Sequence, residues 1–168
     1  MVDHLWAGWR MAYIESGDTD EGVEIPDGST LFEAILHSGA PDSETFIVWR
    51  AQHCFALLNA YPYTSGHLMV LPYRGVAELD DLTPEEHAEL WDGVRQAARA
   101  LKLAYEADGI NIGANLGRGA GAGIPDHLHI HVVPRWEGDT NFMTAVANTR
   151  VLPEALAQSW RRIVSAWP

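Results

Sequence analysis

Asp126-His127-Leu128-His129-Ile130-His131-Val132-Val133-Pro134-Arg135 carries three of the chain's eight histidines at alternate positions. In an extended strand, residues i, i+2 and i+4 share a face. The spacing therefore predicts a strand with His127, His129 and His131 on one side and Leu128, Ile130 and Val132 on the other. Polar on one face and aliphatic on the other is the pattern of a half-buried strand. Three imidazoles in a row need a reason.

Working upstream, the nearest feature is a loop, Gly117-Arg118-Gly119-Ala120-Gly121-Ala122-Gly123, in which four glycines alternate. It follows a predicted strand, Ile110 to Leu116. Before that, Pro84 to Ala107 predicts the clearest helix, with Leu90, Val94, Ala97, Leu101 and Ala104 at helical spacing. Thr83 and Glu86 form a capping-box pattern, and Pro84 suits the first helical position. Phe46–Arg50, Cys54–Asn59 and His67–Leu71 are short, β-prone runs bounded by turn residues. Leu31 to His37 predicts a short helix started by Ser29 or Thr30. Residues 3–14 predict another, and a final one runs from Leu152 or Pro153 to Ala166. Residues 15–30 and 137–150 are expected to be loops. Together these elements imply an α+β fold: an antiparallel sheet of about five strands, one long helix and shorter terminal helices.

The chain has 168 residues, 47% hydrophobic and 20% charged, which suits one soluble domain. Its net charge of -12 argues against a nucleic-acid binder, which needs a basic surface for phosphates. A small anionic ligand is still permitted, because a local nest of backbone N–H groups can hold phosphate. Cys54 is the only cysteine, so no internal disulfide or cysteine-based zinc cluster is expected. With no signal-peptide pattern and no membrane-length apolar run, the expected location is the cytoplasm.

Three readings of the histidines stand open at this level. They could be polar residues on a solvated sheet face. They could ligate a metal, histidine being the commonest metal ligand. Along a straight strand, however, His127 and His129 lie about 6.6 Å apart and His127 and His131 about 13 Å. A zinc ion with bonds of about 2.0–2.1 Å could bridge neighbours but not all three, so His67 or His53 would have to complete the site. Third, an imidazole could attack a phosphoryl centre and form a covalent intermediate. Positioning and electrostatics carry most of such catalysis. The glycine loop, ending four residues before His127, allows close backbone approach to a phosphate. Arg118 either reaches a polyphosphate tail or lies in solvent.

His127-Leu128-His129-Ile130-His131-Val132-Val133 resembles the signature of the histidine-triad (HIT) nucleotide-binding family, His-φ-His-φ-His-φ-φ with φ apolar, at every position. The resemblance extends upstream through Leu58 to Val70, with Asn59 and Gly66-His67, and through Asn115-Leu116-Gly117. Trp9-Arg10-Met11, Tyr61-Pro62-Tyr63, Pro134-Arg135-Trp136 and Asn141-Phe142 look most like the fragile-histidine-triad hydrolase branch. Within it they are most similar to bacterial diadenosine-tetraphosphate phosphorylases, the ATP adenylyltransferase-like proteins.

The resemblance implies a nucleotidyl transferase or hydrolase that cleaves dinucleoside polyphosphates at the α-phosphate. His129 would be the nucleophile, with His127 holding the hydrogen-bond network beside it. His131 would contact the phosphate or bridging oxygen, and His67 would act as a relay behind the triad. Asn59 would bind ribose hydroxyls, while Asn115 and the backbone of Gly121, Ala122 and Gly123 would contact phosphates. The family pattern also implies a single HIT domain over 1–168 with its core at 31–136, and a homodimer or tetramer. No obligatory cofactor is expected, and a divalent cation enters at most as a companion of the polyphosphate. Hydrolase or phosphoramidase activity of the same family, a histidine-ligated metal enzyme and a nucleotide sensor without turnover are the alternatives.

The chain departs from the family twice. Gly123 stands where many relatives place Ser or Thr, which leaves leaving-group handling open. Leu31-Phe32-Glu33-Ala34 has no cysteine where some relatives carry a Cys-x-x-Cys zinc site, so no structural zinc is expected.

Overall fold

A computed structural model describes residues 25–139 and 154–168. The expected helix at 3–14 lies outside the described residues, as does most of the 137–150 loop.

Two capping boxes start the helices of the described core. Thr30 accepts from the Glu33 amide while the Glu33 carboxylate accepts from the Thr30 amide, which begins α1 (Leu31–His37). Thr83 and Glu86 do the same for the long helix α3 (Pro84–Tyr105), with Pro84 in its first turn. Each box satisfies amides that the first helical turn leaves without an internal partner. The long helix stops at Glu106, which takes a left-handed conformation at φ 50, two residues before the Asp108-Gly109 pair that the sequence suggested. Between them lies α2 (Asp42–Thr45), a single turn too short to leave a periodic signal. The last helix is α4 (Leu156–Ala166).

The strands are β1 (Ile47–Arg50), β2 (Cys54–Leu58), β3 (Leu68–Pro72), β4 (Gly109–Gly113) and β5 (Ile130–Arg135). They form one sheet in the order β1-β2-β3-β5-β4, with every neighbouring pair antiparallel. Strand β5 therefore sits between β3 and β4, and His131 pairs with Met69 on one side and Gly113 on the other. A register shift between Ile47 and Trp49 interrupts the alternation of β1. Val48 and Trp49 consequently both pack toward the long helix.

Both faces of the sheet are covered. On one, Ala56, Leu58, Leu68, Val70, Leu128, Ile130 and Val132 meet Leu90, Val94, Ala97 and Leu101 of α3 and Ile163 of α4. Burying each such Leu, Ile or Val contributes about 1.5–3 kcal/mol. Gly93 lets α3 approach closely: a Cβ there would meet Trp49 at 2.8 Å and Val70 at 3.0 Å. On the other face, Phe32 and Leu36 of α1 pack on Ile47, Phe55, Leu57, Met69 and Leu71. Among the described residues no helix is long and apolar enough to cross a membrane.

Candidate active site

The alternation in 127–132 holds on its apolar side, where Leu128, Ile130 and Val132 are all in the core. The histidine side differs from a solvated strand face in two ways. Regular pairing begins only at Ile130, so His127 and His129 precede the strand. Both are also buried, at 1% and 7% exposure. Phe32 of α1 covers them, its ring centroid 5.3 Å from that of His127 and 5.5 Å from that of His129.

Hydrogen bonds then assign a tautomer to each imidazole, because a carbonyl oxygen accepts and cannot donate. His127 places Nε2 2.9 Å from the Pro72 carbonyl oxygen, so Nε2 carries a proton. Its Nδ1 lies 2.6 Å from the Thr30 hydroxyl. The Leu128 amide donates to the Val76 carbonyl at 2.6 Å, so the 72–76 segment grips this pair of residues at two points.

His129 places Nδ1 2.7 Å from the carbonyl oxygen of His127, so the proton is on Nδ1. In the neutral ring Nε2 then keeps its lone pair, and no hydrogen bond from the described residues occupies it. Burial pushes both imidazoles below the ordinary histidine pKa. For His127 the Pro72 carbonyl and the Glu33 carboxylate pull the other way, while His129 adds to the lowering. For His129 the His127 carbonyl opposes the effect of burial. A neutral imidazole whose lone pair is not taken up by a hydrogen bond from the described residues is the form a nucleophile requires.

His67 is completely buried immediately before β3. Gly66 before it sits at φ 82, and a Cβ there would strike Tyr105 at 2.6 Å, so the turn needs glycine twice over. The Tyr63 amide donates to His67 Nδ1 at 3.1 Å, which puts the His67 proton on Nε2. That proton points to His131 Nδ1, 2.9 Å away. His131, neutral and accepting at Nδ1, carries its own proton on Nε2. One backbone amide thus sets the tautomers of two histidines in series.

The remaining residues singled out in the sequence surround this cluster. Asn59 accepts from the Tyr61 amide at 2.9 Å and brings its own amide to 3.5 Å from His67 Nδ1. The glycine loop is more structured than a flexible turn, with a 3-10 turn at Arg118–Ala120 and Gly117 and Gly121 at φ 74 and 87. The Gly121 amide donates to the Arg118 carbonyl and the Ala122 amide to the Gly117 carbonyl, at 2.9 and 3.3 Å. Of the three amides expected to face phosphate, those two are engaged within the loop. The Gly123 amide has no such bond, and Gly123 is exposed. Asn115 reaches 3.5 Å from the Gly121 carbonyl and is half-buried, whereas Arg118 is exposed.

Thr30, Phe32, Tyr63 and Pro72 were not apparent as site residues in the sequence. Thr30 was legible only as a helix start, and nothing local connects it with a histidine 97 positions away. Among the described residues no group of three or more His, Cys, Asp or Glu side chains is placed to share a metal ion.

The HIT domain family matches residues 40–138. The chain is 40% identical to an AP-4-A phosphorylase of Mycobacterium tuberculosis, over 99% of its own length and 85% of that protein's. It is 36% identical to an asymmetrical bis(5'-nucleosyl)-tetraphosphatase of Schizosaccharomyces pombe over 55% of this chain and 50% of the other. Among solved structures, a zinc-bound histidine triad family protein from Mycobacterium smegmatis superposes with a TM-score of 0.67 at 29% identity, covering 82% of this chain and 92% of that one. A Hit-like protein involved in cell-cycle regulation from Bartonella henselae gives 0.68 at 25% identity, over 85% and 99% of the two chains. With the signature histidines, the five-stranded sheet and these relatives in agreement, the chain belongs to the HIT-domain, histidine-triad family.

Proposed function

We propose that this protein is an enzyme that cleaves dinucleoside polyphosphates of the diadenosine tetraphosphate type at the α-phosphorus, through a nucleotidyl-His129 intermediate. The observation that carries this reading is the tautomer of His129, fixed by the bond from Nδ1 to the His127 carbonyl. The Nε2 lone pair attacks the α-phosphorus, an N–P bond forms, and the bond from phosphorus to the bridging oxygen breaks. The imidazole ring gains positive charge in this step, and the His127 carbonyl dipole is already directed at its N–H.

The departing nucleoside polyphosphate needs a donor at its bridging oxygen. His131 has the matching tautomer, held by His67 through the 2.9 Å bond. Asn59 is the candidate for the ribose hydroxyls, and Asn115 and the Gly121–Gly123 backbone for the phosphates. Within that loop the Gly123 amide is the direct donor, while the Gly121 and Ala122 bonds hold its shape.

An acceptor then takes the nucleotidyl group from His129. Inorganic phosphate yields ADP and ATP from diadenosine tetraphosphate, whereas water yields AMP and ATP. Phosphorolysis is the favoured reaction, supported by the 40% identity to the mycobacterial AP-4-A phosphorylase along nearly the whole chain. Incubating the protein with diadenosine tetraphosphate, with and without phosphate, tests this. Phosphate-dependent ADP is the expected product; AMP formed regardless of phosphate assigns the hydrolase instead, and no product from either overturns the enzyme reading. A homodimer or tetramer belongs to the same proposal, and sedimentation of the purified protein checks it.

A further inference from the structure

Glu33 lies outside the histidine cluster, yet a continuous chain of polar contacts joins it to His129. Glu33 Oε2 is 3.1 Å from the Thr30 hydroxyl, and that hydroxyl is 2.6 Å from His127 Nδ1. On its far side His127 donates to the Pro72 carbonyl, and its own carbonyl holds the His129 N–H. Glu33 is itself fixed, accepting from the Thr30 amide at 2.8 Å and the Gly75 amide at 2.9 Å. Gly75 is pressed against the same pair: a Cβ there would lie 2.6 Å from Thr30 and 3.0 Å from Glu33.

A hydroxyl has one proton, so Thr30 can donate to His127 or to Glu33 but not to both. When His127 is neutral, Thr30 donates to Nδ1 and turns a lone pair toward the carboxylate. When His127 is protonated, Nδ1–H donates to Thr30, and Thr30 donates onward to Glu33. Only the protonated arrangement gives every contact a donor. Burial under Phe32 favours the neutral arrangement. The two influences oppose each other at one imidazole.

We propose that Glu33 is a positioning residue for the reaction: acting through the Thr30 hydroxyl, its carboxylate sets the proton balance and orientation of His127 and so holds the carbonyl that orients His129. A helix cap thereby becomes part of the active-site wiring. The kinetic part of this inference rests on the dinucleoside polyphosphate reading, whereas the histidine coupling does not.

Glu33 and His129 are the ionisable groups that act on His127 among the described residues. Burial raises the Glu33 pKa, but amide and hydroxyl bonds from Thr30 and Gly75 outweigh it and hold the carboxyl below its ordinary value. The same bonds favour the charged carboxylate, the form that accepts from the Thr30 hydroxyl.

The test combines histidine NMR titration with kinetics on diadenosine tetraphosphate. Glu33→Gln keeps the capping-box pattern, which accepts Gln, but removes the charge. The expected result is a His127 titration midpoint lowered by about one unit, with kcat down about tenfold and KM changed by less than about twofold. Thr30→Val should reproduce the shift, and Thr30→Ser, which restores the hydroxyl, should recover it. An unmoved His127 midpoint in Glu33→Gln overturns the proposal, as does Thr30→Ser shifting as far as Thr30→Val. If the unmodified protein does not turn over the dinucleotide, the functional reading fails while the titration still decides the coupling.

Discussion

His129 Nδ1 sits 2.7 Å from the carbonyl oxygen of His127, a bond between two residues of the same short segment that leaves Nε2 of His129 as the basic nitrogen. The segment can make this bond because it has not yet entered the sheet, where the His127 carbonyl would be available to a neighbouring strand. Regular pairing starts one residue after His129. The same irregularity that departs from an ideal strand thus sets the tautomer of His129.

Removal of the proposed nucleophile should be decisive. His129→Ala is expected to reduce kcat on diadenosine tetraphosphate by about 10^4-fold or more, with no acid-labile nucleotidyl adduct in a rapid quench. The binding groups remain in place, so titration calorimetry should still register the nucleotide. Activity within an order of magnitude of the unmodified protein would remove His129 from its role.

The hydrogen-bonded pair of buried His67 and half-buried His131 gives a graded expectation. His67→Ala deletes the Nε2–H donor to His131 Nδ1. The proton of His131 is then no longer confined to Nε2, and kcat should fall about 10–100-fold, as for other orienting partners. Nitrogen-15 shifts of His131 report the tautomer directly; an unchanged pattern argues against the series from Tyr63 through His67.

Stability should respond to pH in two windows. The folded-state pKa values of His127 and His129 are depressed by burial, so the unfolded chain binds more protons than the native one below its ordinary value near 6.5. Stability is therefore full above that value and declines as pH falls beneath it. Hydrogen bonding to Arg74 holds Glu86 down to about 2, against an ordinary 4.5, so a second loss occurs as pH falls from about 4.5 toward 2. Urea midpoints measured from pH 8 to pH 3 should decrease through both ranges, and Glu86→Gln should flatten the lower one.

Gly93 offers a packing test away from the chemistry. Alanine is the better helix former by about 1 kcal/mol, yet the added methyl would lie within 3.0 Å of Trp49 and Val70. Overpacking of this kind costs about 1–3 kcal/mol. Gly93→Ala is expected to lower the urea midpoint, and a rise would mean that Trp49 can move aside.

Much of the architecture follows from local chemistry. The apolar side of 128–132, the capping boxes at Thr30 and Thr83 and the stripe from Leu90 to Leu101 are each written in neighbouring residues. The histidine spacing similarly placed imidazoles close in sequence to a glycine-rich loop, and the HIT signature is written in that order. The proton on each imidazole could not be read the same way. Pro72 is 55 positions from His127, Thr30 is 97, and His67 is 64 from His131. A tautomer depends on the nearest acceptor in space, and only antiparallel pairing of β3 with β5 and the packing of α1 bring those acceptors to the rings. The sequence determined which chemical groups are present and how they alternate; the tertiary structure decided which nitrogen can react.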